Sequence, residues 1–238
     1  MHPTFIVPVA TLTGALGLLA AGEPAQAVIP YAELRLFIEY NSTDKDTGMQ
    51  LFLDGESWRL LKITDPNGKV ILDVKGKSSL KALGLTEFFF ESTEPALKKL
   101  PLKEFFDLFP EGEYLFEGAT IDGDTLMSTA TFSHTIPDGP AILTPEEGSV
   151  VDEDDVVVAW EPVADPEGSR ITAYQVIVTQ ELNVLPRRTF SVHVSAEVTA
   201  VTVPAEFLQD DADYEFEVLA IEEGGNQTIT SSFFTTKR

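Results

Sequence analysis

Polar and apolar residues alternate with a period of two along most of the chain after residue 27, the spacing of strands that bury one face. Residues 33–41 set Leu34, Leu36, Ile38 and Tyr40 against Glu33, Arg35, Phe37 and Glu39. Residues 48–55, GMQLFLDG, read as a second short strand. Residues 57–76 read as a hairpin around Asp65-Pro66-Asn67-Gly68, and residues 113–134 as another around Asp122-Gly123-Asp124. Between the hairpins, residues 85–92 predict a buried strand. Residues 101–110 predict a short helix that opens on Pro101, carries Leu102, Phe105, Phe106 and Phe109 as a stripe, and stops at Pro110. These aromatics are expected in the core.

The alternation continues beyond residue 150, with strands expected at 155–160, 171–178, 189–194, 198–203 and 214–220. Turn segments DPEG, DDAD and EEGGN separate them. Trp160 falls on the second strand, Tyr174 on the third, and Leu208 precedes Tyr214 by six residues. Val218, Ala220, a Gly-Asn turn and a last strand follow, and Pro140 and Pro145 open the segment. Over about residues 139–237 this pattern resembles a fibronectin type III domain. The resemblance implies an immunoglobulin-like sandwich, a tyrosine corner at Tyr214, and a spacer or interaction module without catalysis. No Arg-Gly-Asp is present, so integrin-type adhesion is not implied. The N-terminal half joined to such a module resembles uncharacterised secreted bacterial proteins, which implies no function. The expected fold is all-β: two tandem β-sandwich domains, at 28–137 and 142–238, joined by a linker at 138–141. The first carries the short helical insertion.

Residues 5–22 are apolar and uncharged, and Ala25-Gln26-Ala27 has the small-x-small form of a signal-peptidase site. Residues 1–27 are therefore expected to be a signal peptide, and the protein secreted or held at the cell surface, with the periplasm as alternative. The chain holds 39 acidic and 16 basic residues, a net of −23. Such a surface repels nucleic acid and anionic membranes. The absence of cysteine removes disulfides, thiol nucleophiles and zinc–thiolate sites.

One segment carries candidate chemistry. In NSTDKDTG, Asn41, Asp44 and Asp46 are oxygen donors at the tight spacing a calcium loop uses, and Asp54 and Glu56 are placed on a neighbouring turn to complete the shell. The EF-hand spacing is not met. The alternative is a turn whose Asn, Asp and Thr cap their own backbone. Tyr40 and Trp58 are the candidate aromatics for a sugar ligand, with an inward strand position as the alternative for Trp58. No glycine-rich phosphate loop occurs, and His134 and His193 both sit at alternating strand positions. These readings predict a secreted, non-catalytic binding or structural protein whose partner is a protein or polysaccharide at the cell exterior. The alternatives are a calcium-dependent carbohydrate-binding accessory protein and a glycan hydrolase using two carboxylates. Calcium is the one cofactor in view.

Overall fold

One long strand organises the N-terminal half. The computed structural model describes residues 28–181 and 188–237, so the expected signal peptide lies outside the described residues. The elements are β1 (Val28–Ile29), β2 (Glu33–Asn41), β3 (Asp46–Thr64), β4 (Val70–Lys75), α1 (Ser78–Leu83), β5 (Leu85–Glu91), α2 (Leu102–Leu108), β6 (Gly112–Thr120) and β7 (Thr125–Phe132). The two strands expected at 48–55 and from 57 are one strand, β3. Its first part pairs with β2 and β5, its second with β4 and β6, and the pairing shifts between Asp54 and Trp58. Two layers thereby enclose one core built on Ile38, Leu51, Trp58, Ile63, Tyr114 and Phe116, all fully buried. The expected turn at 65–68 forms because the buried Asp65 carboxylate accepts the N–H groups of Asn67 and Lys69, and Gly68 takes positive φ.

Two local expectations need correction. A second helix, α1, occupies SSLKAL; it buries no residue, so no apolar stripe marks it. β5 is half-buried: Phe88 and Phe90 pack on the core, while Phe89 faces outward at 58% exposure.

The C-terminal half contains β8 (Ile142–Thr144), β9 (Ser149–Asp152), β10 (Val157–Trp160), β11 (Ile171–Gln180), β12 (Thr189–Ser195), β13 (Ala200–Thr202), β14 (Asp213–Glu222) and β15 (Gln227–Lys237). β13-β10-β8 form one sheet, and β12-β11-β14-β15 the other, with β9 parallel to β15. Trp160, Tyr174, Tyr214, Phe216 and Phe234 fill the space between them. The Tyr214 hydroxyl accepts the N–H of Gln209 at 2.8 Å, which closes the expected tyrosine corner.

The halves are joined by more than a short linker. β15 pairs in parallel with β2, matching Gln227, Thr228 and Ile229 to Glu39, Tyr40 and Asn41, so one twelve-stranded sheet crosses both. Asn226 starts this ladder. Its Oδ1 accepts the N–H of Ile38 at 2.7 Å, and its Nδ2 donates to the Ser133 carbonyl, the Ser133 hydroxyl and the Thr135 carbonyl. The Glu222 carboxylate accepts the N–H groups of Gly224 and Asn226 and so shapes the turn that presents Asn226. Parallel pairing between strands almost 190 residues apart leaves no local periodicity, so the sequence pattern does not announce it. Asn226 is 2% exposed, which closes the sequon at 226–228 to glycosylation in the folded chain.

Asn226→Ala should leave the Ile38 N–H and two carbonyls without partners, at a cost of about 3 kcal/mol. Scanning calorimetry should then show the first transition about 5–10 °C lower and a split between the halves. An unchanged single transition would show that Asn226 is not what couples them.

Candidate functional site

The register fixes which side chains share the outer face of the common sheet. β2 turns Leu34, Leu36 and Ile38 to the core, so Arg35, Phe37 and Glu39 face outward. Pairing carries this face across β3 as Phe52, Gln50 and Gly48, and across β5 as Phe89 and Glu91. In the other direction it runs through Gln227 and Ile229 on β15, Ile221, Leu219 and Glu217 on β14, Gln175 on β11 and His193 on β12. Phe37, Leu219 and Ile229 are buried yet belong to neither core, and they form an apolar seam where the halves meet.

Beside the seam lies a cleft of about 620 Å³ whose lining includes Arg35, Gln50, Phe52, Phe89, Gln175 and His193. The Arg35 guanidinium stands over the Phe52 ring, 4.8 Å from its centroid, and Phe89 is the cross-strand neighbour of Phe52. Gln175 donates to the Ser191 hydroxyl, which fixes its amide. Apolar faces beside amide, guanidinium and imidazole groups form a surface that can bind a polar chain.

One end of the face is acidic. Carboxylate oxygens of Glu39, Glu91 and Glu94 lie within 4.8 Å of one another. Burial, then the charges of Glu91 and Glu39, push the Glu94 carboxyl up to about 8. Burial also raises Glu39, partly offset by a hydrogen bond from Gln227. Burial and then Glu215 and Glu39 push Glu217, across the seam on β14, up to about 7. Among the described residues, Glu39, Glu91 and Glu94 are the group that could hold a divalent cation.

The expected calcium ligands are not brought together. Asn41 spends its Oδ1 on the N–H groups of Thr43 and Asp44, and its Nδ2 lies 3.4 Å from Asp44. This is the self-capping turn. Asp46 pairs with Asn41 at one end of β2, whereas Asp54 pairs with Glu33 at the other. Eight residues of strand, about 26 Å, separate them, so Asp54 and Glu56 complete no shell with Asp44 and Asp46. Asp44 borders a different pocket, about 630 Å³, with Glu147, Glu181, Asp213 and Glu215. Asp46 alone adjoins the carboxylate group, its own carboxyl raised by burial and by Asp44. Trp58 is fully buried and packs edge-on against Phe88, so it presents no face to a sugar. Tyr40 is half-buried, on the core-facing side of β2. Phe89 and Arg35, with the half-buried Phe52 beside them, hold the exposed position expected of those two. The alternation of residues 33–41 already sets Arg35 on the opposite face from Leu34 and Leu36, but only the register sets Phe52 and Phe89 beside it. His134 is stacked on Phe106 at 3.9 Å and its Nε2 lies 2.8 Å from the Phe109 carbonyl, a structural role.

The acidic end predicts a pH dependence. Glu94 and Glu217 hold their protons more tightly folded than unfolded, where a glutamate releases its proton near 4.5. Their contribution to stability is complete below that value and is lost as pH rises through about 7 and 8. The thermal midpoint should fall between pH 5 and pH 9, and Glu94→Gln/Glu217→Gln should flatten that fall.

Residues 144–236 match the family model described as Fibronectin type III domain. No curated protein matches the chain. Among solved structures, the chain is similar to the FN1–FN3 domains of chicken CNTN1, with 12% identity, a TM-score of 0.37, and 90% of this chain and 69% of that one covered. It is also similar to a segment of two fibronectin type III domains from chicken tenascin, with 14% identity, a TM-score of 0.30, and 86% and 98% covered. A tetra-tandem repeat in the extending region of a large adhesion protein matches with 16% identity, a TM-score of 0.30, and 86% and 50% covered. Scores this low leave the identity of the C-terminal module to the family match. With that match lying over a core of Trp160, Tyr174 and the Tyr214 corner, the C-terminal half of the chain is a fibronectin type III domain.

Proposed function

We propose that this is a secreted, non-catalytic binding or structural protein of the cell surface or extracellular matrix, which holds a protein or polysaccharide in the cleft at the seam. The observation that carries the reading is the continuous outer face, held across both halves by β15–β2 pairing and by Asn226. A binding surface shared by two halves needs them fixed in register, and this seam supplies that. Fibronectin type III domains are typical of extracellular proteins and are typically non-catalytic, which supports the reading. No helix among the described residues is long and apolar enough to cross a membrane.

The test is a panel of matrix proteins and plant, bacterial and algal polysaccharides, titrated with the purified protein with and without millimolar calcium. Arg35→Ala/Phe89→Ala should weaken the binding found by about tenfold, roughly 1.4 kcal/mol, and leave the thermal midpoint unchanged. A calcium requirement lost in Glu94→Gln would assign the cation to the Glu39, Glu91 and Glu94 group. Hydrolysis of any polysaccharide, abolished by Glu94→Gln, would overturn the non-catalytic reading.

A further inference from the structure

A second pocket has the opposite charge to the rest of the molecule. From residue 59 to residue 81 there are six basic residues (Arg59, Lys62, Lys69, Lys75, Lys77 and Lys81) and two acidic ones (Asp65 and Asp73), a local net of +4 in a chain of −23. Four of the six gather around a pocket of about 430 Å³. Leu60, Gly76 and Ala119 lie among them, with Ser78 completing the lining. The pocket shares no residue with the cleft at the seam.

The fold builds this arrangement at three points. The β3–β6 register advances two residues on β3, from Trp58 to Leu60, for one on β6, from Thr120 to Ala119. Arg59 is the extra residue of that bulge. With Trp58 held in the core, Arg59 and Leu60 reach the outer pocket together. β4 ends on Lys75, which pairs with Leu60 and so stands over the same spot. Gly76 then lets α1 fold back closely: a Cβ there would lie 3.0 Å from the Leu80 carbonyl oxygen. That return brings Lys77 and Lys81 to the rim. Lys75 is ion-paired to Asp73, but Arg59, Lys77 and Lys81 make no ion pair among the described residues. In a molecule with more than two acidic side chains for each basic one, three cations left unpaired around one pocket make a local centre of positive potential, against the mutual repulsion that opposes gathering them.

We propose that this pocket binds a saccharide bearing sulfate or carboxylate groups. Separate cations around a small apolar floor suit a rigid ring that carries its charges directly and offers an apolar face to Leu60 and Ala119. Such a ring loses less freedom on binding than the flexible carboxylate stems of an acidic peptide. The site is independent of the cleft at the seam.

The test uses fluorescently labelled dextran sulfate and polygalacturonate, with uncharged dextran and polyglutamate of similar length, titrated with the protein in physiological salt. Dextran sulfate or polygalacturonate should bind and dextran should not. Arg59→Ala/Lys77→Ala/Lys81→Ala should weaken binding at least tenfold and reduce its salt dependence. Lys69→Ala/Lys98→Ala/Lys99→Ala removes the same charge elsewhere and should leave binding within twofold. Thermal unfolding checks each variant. If the first triple variant fails to fold, Lys77→Ala/Lys81→Ala, both on exposed residues, carries the same expectation. Equal losses in the two triple variants would reduce the effect to net charge and overturn the site. Tighter binding of polyglutamate than of either polysaccharide would make the partner an acidic peptide. Failure of both charged polysaccharides to bind would also overturn the proposal.

Discussion

The side chain of Asn226 is the constraint on which the arrangement of the halves depends. Its amide oxygen and nitrogen bind β2 on one side and the segment after β7 on the other, from a side chain that is itself buried. A buried amide of this kind specifies position more than it adds stability, because every displaced arrangement leaves polar groups unpaired. Once it is seated, β15 must run beside β2 in one register. The outer faces of both halves then become one surface, with Phe37, Leu219 and Ile229 buried along it at the seam.

How much of this the sequence discloses follows from the range of each interaction. Strands with one buried face announce themselves within a few residues, so residues 33–41, 171–178 and 214–220 read correctly as β2, β11 and β14. Trp160, Tyr174 and the Leu208–Tyr214 pair mark the C-terminal fold because that core requires large rings at set places. Asn41 and Asp44 are ambiguous in the sequence, since the oxygens that could ligate calcium are the same ones that cap a turn. The carboxylate group of Glu39, Glu91 and Glu94 could not be read, because it needs the register of three chain segments. Asp54 failed as a ligand for a related reason: distance along an extended strand grows by about 3.3 Å per residue, and the turn expected near it is strand.

Charge is distributed with more structure than a net of −23 conveys. Acidic groups converge at the seam, where burial and mutual repulsion keep Glu94 and Glu217 protonated well above the usual range. Basic groups converge at the β3 bulge. The exposed ion pairs, such as Lys103 with Asp107, are of the solvated kind that contributes little. The acidic concentration spans the seam and the basic one lies on the N-terminal half away from it, so the molecule presents distinct electrostatic faces despite its uniform overall sign.

The parallel pairing of β2 and β15 also decides how the protein would meet a mechanical load. A pull applied through Glu33 and Lys237 runs along two adjacent strands that point the same way, so it slides one past the other. The ladder bonds between Gln227–Ile229 and Glu39–Asn41, and those of Asn226, would then be strained together instead of opening in turn. A tether of this build resists stretching at the join between its halves, the place where a plain linker would yield first.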